Sequence, residues 1–120
     1  MVGIDYSQEM INHAIMNSEK LNCNDIWFLR MDAQSLEFPD ESFDFIFTRN
    51  VTWTLPDPEK AYQEMIRVLA PGGRLYFEVG IGQADNVLRI MRTQGFGDIQ
   101  VVKDHHDIPR VVFGTLCTEL

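Results

Sequence analysis

The chain has 120 residues, 45% hydrophobic and 23% charged, and its 18 acidic against 10 basic residues leave a net charge of −8. That length and apolar share predict one domain, 1–120, with a real core, while the acidic balance excludes an electrostatic nucleic-acid or anionic-membrane binder, which needs a basic face. No apolar run reaches membrane-spanning length and no N-terminal stretch reads as a secretory signal; Cys23 and Cys117, far apart and without metal spacing, read as free thiols and predict a reducing, cytoplasmic setting.

Val2, Gly3 and Ile4 form a short apolar run that stops at Asp5 and reads as a buried strand. Ser7 is a good N-cap with Glu9 in the first turn. Met10, Ile11, Ala14 and Ile15 recur at helical spacing and Leu21 continues the face, which predicts a helix over 8–21. His13 falls on its polar side. Ile26–Met31 reads as the next strand, followed by Asp32 and Ala33, and Trp27 with Phe28 reads as core or interface. Leu36 to Ser42 is a loop. Phe43–Thr48 is a third strand whose apolar run predicts burial on both faces.

Arg49 to Pro56 is a polar and aromatic connection. Asp57 caps a helix over 57–69 with Pro58 in its first turn. Ala61, Tyr62, Met65, Val68 and Leu69 are its apolar stripe, and Pro71-Gly72-Gly73 ends it. Arg74–Val79 is a fourth strand, with Glu78 at its end either solvated or turned to a pocket. Gly80-Ile-Gly82 is a tight turn into a helix over 83–94 that Gly95 terminates. Ile99–Lys103 and Arg110–Leu116 are the last strands. Asp104–Pro109 leaves no room for a helix between them, so they pair antiparallel, and His105 and His106 sit in that exposed turn. The order predicts an α/β fold: a mostly parallel sheet with an antiparallel C-terminal hairpin and helices on both faces.

Three polar groups fall just past the carboxyl ends of successive strands: Asp5, Asp32 and the pair Arg49-Asn50. Ligands of doubly wound sheets bind at that edge, where a strand-end carboxylate accepts hydrogen bonds from ribose hydroxyls. Asp5 equally fits a plain cap of the following helix, and Trp53 fits loop packing as well as a pocket wall.

The segments Val2–Met10, Met31–Gln34, Phe38–Asp44 and Arg67–Leu75 together resemble class I S-adenosylmethionine-dependent methyltransferases. The resemblance implies a Rossmann-like fold and S-adenosylmethionine as cofactor. It implies Asp5 on the ribose, Tyr6 and Ser7 along the adenine, and Asp32 with Ala33 at the adenine edge. Arg49, Asn50 and Trp53 would form the loop beneath the methyl donor and are the catalytic candidates. The acceptor is a small molecule or a protein. Tyr76–Val87, Gly95–Asp98 and Lys103–Leu116 are similar to the C-terminus of release-factor glutamine N5-methyltransferases, whose Asn-Pro-Pro-Tyr loop is here Arg49-Asn-Val-Thr-Trp53. A natural recombinant and an assembled chimera both fit such a front and back.

The family's first strand and glycine-rich loop, which offer amide groups to the methionine end of the cofactor, have no counterpart ahead of Val2. Two or three lost hydrogen bonds to a charged group, at about 1.5–3 kcal/mol each, move a micromolar site to about millimolar. The expectation is therefore a truncated methyltransferase domain, weak or inactive alone, with a non-catalytic α/β fragment or interaction module as the alternative. The absent strand would leave the Val2–Ile4 and Phe43–Thr48 edges open. A homodimer that buries them is expected over direct pairing of the two.

Overall fold

The computed structural model describes residues 1–49 and 55–117. Strand β1 (Val2–Asp5) leads into helix α1 (Gln8–Lys20) and strand β2 (Trp27–Arg30). β1 and β2 pair in parallel, with Val2 opposite Trp27 and Asp5 opposite Arg30. Ser7 caps α1 as its residue type predicts, its Oγ accepting from the Met10 N–H at 3.3 Å.

Strand β3 (Phe43–Arg49), helix α2 (Pro58–Val68), strand β4 (Leu69–Glu78), helix α3 (Ala84–Thr93), strand β5 (Phe96–Lys103) and strand β6 (Pro109–Leu116) follow. Four of these strands form a second sheet in the order β3-β4-β6-β5, in which β3 and β4 are parallel and β6 runs antiparallel to both of its neighbours. The short 104–108 connection forces the β5–β6 reversal. Asp104 organises it by accepting from the His106 and Ile108 N–H groups at 2.8 and 3.1 Å and from Arg110 Nε at 3.1 Å.

The core lies between α2, α3 and one face of this sheet. Ala61, Tyr62 and Met65 of α2, then Ala84, Val87 and Met91 of α3, meet Leu75, Phe77 and Val112. The rings of Tyr62 and Phe77 stand edge to face at 5.4 Å. Each fully buried aliphatic side chain here contributes about 1.5–3 kcal/mol.

Four expectations need correction. The stripe of α1 is largely open: Ile11 is buried, but Met10, Ile15 and Leu21 are exposed. The helix has only the two-stranded sheet β1–β2 beneath it, too narrow to cover a full face. Of the two readings of Trp27, core or interface, the core one falls, since the side chain is 73% exposed on β2. β3 is not buried on both faces, because Phe45 and Phe47 are 57% and 52% exposed while Thr48 is buried. The Phe45 ring joins an outer row, 5.0 Å from Tyr76, with Tyr76 stacked 4.7 Å from Phe113. α2 and α3 both lie on the opposite face. The fourth correction concerns Pro71-Gly72-Gly73, which sits inside β4, since the strand starts at Leu69 directly after α2. Phe43 pairs with Leu69 and Phe45 with Arg74, so β4 bulges over the intervening residues. Gly72 supplies the positive φ of 82° in that bulge.

β1 pairs β2 and β3 pairs β4, so the two open edges do not close onto each other. Among the described residues no helix is long and apolar enough to cross a membrane.

Candidate functional site

β1 ends at Asp5, and Asp32 follows two residues after the end of the parallel neighbour β2, so the backbone brings both acids to one edge. The Met31 N–H donates to the Asp5 carbonyl at 3.0 Å, continuing the pairing to the brink of Asp32. Asp5 Oδ1 accepts from the Ser7 N–H at 2.8 Å, closing a turn ahead of the helix, whose cap is Ser7 and not Asp5. Its Oδ2 accepts no hydrogen bond among the described residues and remains available to a ligand hydroxyl.

Asp32 is held differently. Its Oδ1 accepts from the Gln34 N–H at 2.9 Å, and Gln34 Nε2 reaches Oδ1 and Oδ2 at 3.2 and 3.4 Å. Arg30 Nε donates to the Tyr6 carbonyl at 2.9 Å, and its guanidinium carbon lies 5.3 Å from the centre of the Tyr6 ring. That contact orients an otherwise exposed ring.

Tyr6, Arg30, Met31, Asp32, Ser35 and Glu37 line an open cavity of about 340 Å³, a volume within the range of small-ligand sites. Of the sequence candidates, Tyr6 and Asp32 line it directly. Asp5 and Ser7 form the turn beside it, and Ala33 packs against the core. Arg49 is not in this cavity: its Nε is 3.4 Å from Glu78 Oε1 across the ends of β3 and β4. Asn50 and Trp53 lie outside the described residues.

The sequence reading missed Arg30, Ser35, Glu37 and Gln34. Arg30 carried a usable signal, a charge at the end of an apolar strand. The other three lie in an irregular segment with no periodicity to read. A wider cleft of about 490 Å³ between α2 and α3 is lined by Asp57, Tyr62, Asn86 and Arg89 among others. It holds no strand-end acid.

Gly80-Ile-Gly82 is a tight turn, as read from the sequence. The Gly80 N–H donates to Gln83 Oε1 at 2.8 Å, and the Gln83 N–H donates to the Gly80 carbonyl at 3.2 Å. That amide is therefore taken and does not cradle a ligand. His105 and His106 are exposed, with ring centres 4.0 Å apart.

Parallel strand pairs with helices packed on their faces define a Rossmann-like α/β architecture. The chain belongs to the methyltransferase family: the family model described as a methyltransferase domain matches residues 1–77. This places it with the class I, S-adenosylmethionine-dependent enzymes, whose cofactor is S-adenosylmethionine. It is 38% identical over 76 residues to phosphatidylethanolamine N-methyltransferase of Cereibacter sphaeroides, covering 62% of this chain and 37% of that protein. It is 40% identical over 75 residues to demethylmenaquinone methyltransferase of Thermus thermophilus, covering 62% of this chain and 34% of that protein. The match thus spans roughly a third of these relatives' length. Among solved structures, a SAM-dependent methyltransferase from Aquifex aeolicus superposes with a TM-score of 0.78 at 23% identity, covering 96% of this chain and 68% of the other. The cyclase SpnF superposes with 0.79 at 19% identity, covering 98% of this chain and 67% of the other. These likenesses show the fold.

Proposed function

We propose that this chain is the adenosine-holding part of an S-adenosylmethionine-dependent methyltransferase, weak or inactive by itself. The observation that carries the reading is the cavity walled by Tyr6, Arg30 and Asp32 with the Asp5 carboxylate beside it. Its donor set fits a nucleoside. Asp5 keeps one free carboxylate oxygen for ribose hydroxyls, the Tyr6 face can stack on adenine, and Asp32 with Ala33 stands at the purine edge. When bound, the cofactor supplies an electrophilic methyl group. The chain's own contribution is to bind and orient, which is most of what such a transfer requires. The Arg49–Trp53 segment is the candidate holder of the accepting nucleophile, and the Arg49–Glu78 ion pair fixes where that segment begins.

The relatives are named for phosphatidylethanolamine and demethylmenaquinone, which favours a small-molecule acceptor. The alternative of a protein acceptor, with a recombined or assembled chain, rests on the sequence resemblance of Tyr76–Leu116 to release-factor glutamine methyltransferases alone. A non-catalytic α/β module is the second reading. It is favoured by the Gly80 amide being occupied by Gln83, which leaves that glycine turn no amide cradle for the methionine end. The fold alone does not decide the reaction.

Calorimetric titration of the 120-residue chain with S-adenosylmethionine separates the two. The first reading expects saturable binding with a Kd of about 1 mM, near −4 kcal/mol. Absence of heat up to about 10 mM, some −2.7 kcal/mol, overturns it in favour of the non-catalytic module.

A further inference from the structure

Residues 32–41 contain no helix or strand, yet Ser35 and Glu37 from this segment form one wall of the cavity. What fixes the wall lies behind it. Gln34 Oε1 accepts from the Asp57 N–H at 2.7 Å, tying the segment to the start of α2. The Leu36 N–H donates to Glu64 Oε1 at 2.9 Å. Arg67, a turn further along α2, uses its whole guanidinium. Nε donates to Glu64 Oε2 at 2.8 Å, Nη2 to Glu64 Oε1 at 3.2 Å and to the Leu36 carbonyl at 2.8 Å. Nη1 donates to the Phe38 carbonyl at 2.9 Å and to Asp40 Oδ1 at 2.7 Å. The Arg67 carbonyl in turn accepts from the Glu41 N–H at 2.9 Å.

The arrangement alternates. Leu36 and Phe38 are held from the α2 side, and Ser35 and Glu37 look into the cavity. Among the described residues, no hydrogen bond or ion pair joins residues 1–31 directly to α2, α3 or the four-stranded sheet. Among the described residues, the segment 32–41, which continues the chain directly from β2, is the part beside the cavity that hydrogen bonds tie to α2.

We propose that Arg67 is a positioning residue for the nucleoside cavity: it touches no ligand, but grips Leu36 and Phe38 so that Ser35 and Glu37 stand preorganised as the cavity's outer wall. The inference rests on reading the cavity as a nucleoside site. A wall ordered before binding spares the ligand the entropy of ordering it. Lysine cannot replace the grip, because an ammonium lacks the planar fork that reaches two carbonyls and two carboxylates at once.

The test titrates S-adenosylhomocysteine into wild type, Arg67→Lys and, as control, Arg92→Lys on the exposed end of α3. It is run at a temperature where circular dichroism shows all three folded, and amide shifts are followed by NMR. The expected result is an about ten-fold weaker Kd for Arg67→Lys, within the range of such indirect couplings. Ligand-induced shifts at the Ser35 and Glu37 amides should be lost while those at Tyr6 persist, and Arg92→Lys should stay within two-fold of wild type. Wild-type affinity in Arg67→Lys, or loss of the Tyr6 shifts together with the others, overturns the proposal while leaving the nucleoside reading intact. Failure of wild type itself to bind overturns both. If Arg67→Lys does not fold, Glu64→Gln takes its place, with a weakening in the same direction expected and unchanged affinity overturning the proposal.

Discussion

The two strand-end acids do different work at the level of single residues. Asp5 has one oxygen on the Ser7 amide and one free, whereas both oxygens of Asp32 are within reach of Gln34. A free carboxylate oxygen can make charge-assisted bonds to ribose hydroxyls. Asp5→Ala is therefore expected to weaken nucleoside binding more than Asp32→Ala, although Asp32 is the one lining the cavity. Calorimetry on the two variants reads the order directly, and equal losses would remove Asp5 from the site. Glu64 gives a pH prediction. The Arg67 guanidinium hydrogen bonds hold its carboxyl below the usual glutamate range; partial burial opposes this, and the Leu36 amide adds to it. A carboxyl lowered on folding contributes stability above its unfolded pKa, near 4.3, and loses it as pH falls through the lower folded value. Glu64→Gln should lower the melting temperature at pH 7 and flatten the acid limb of stability below about pH 4. An unchanged acid limb in thermal melts across that range would contradict this.

Among the elements, the β4 bulge is where sequence punctuation and structure parted. Pro71-Gly72-Gly73 reads as a stop between helix and strand, yet here the strand already pairs at Leu69 and swells around the glycines. Gly73 is buried, and a Cβ there would lie 2.8 Å from the Ala70 carbonyl and 3.0 Å from the Asp44 carbonyl. Backbone atoms at that range cannot give way cheaply. Gly73→Ala should therefore cost about 1–3 kcal/mol, the usual penalty of overpacking, measured by denaturant unfolding. A neutral result would mean that the bulge relaxes freely. The helix stripe of α2 was legible through Val68, because Ala61, Tyr62, Met65 and Val68 repeat at helical spacing and all four are buried, whereas Leu69, read as its last member, already opens β4. The stripe of α1 obeys the same rule, but its sheet is two strands wide and buries only Ile11.

For the molecule as a whole, the open features point the same way. Among the described residues β1 and β3 each have an unpaired edge, and Phe45 and Phe47 are exposed on an aromatic sheet face. Unpaired edges and contiguous apolar patches are seldom left in water. We propose that, for the 120-residue chain taken by itself, a second copy covers the exposed Phe45 and Phe47 face. Two-fold pairing is the commonest closed arrangement. Sedimentation equilibrium at micromolar concentration should give a species heavier than the 13.9 kDa chain. A single monomeric species would contradict it. Phe45→Lys with Phe47→Lys should shift the equilibrium toward monomer by charging that face.

The sequence by itself determined the local elements, their order and the two strand-end acids, because each depends on short-range chemistry: apolar periodicity, capping residues and turn lengths. Asp104–Pro109 could only be a reversal, and Asp5 and Asp32 follow apolar runs that place them at or just past strand ends. The tertiary structure alone decided which surfaces are covered and what walls the cavity. Burial of Trp27, Phe45 and Met10 depends on neighbours remote in the chain, and periodicity carries no record of whether those neighbours are there. Ser35 and Glu37 became a wall only because Arg67, some thirty residues on, turns its guanidinium back to Leu36 and Phe38. A long-range hydrogen-bond network of that kind leaves no local pattern in the sequence.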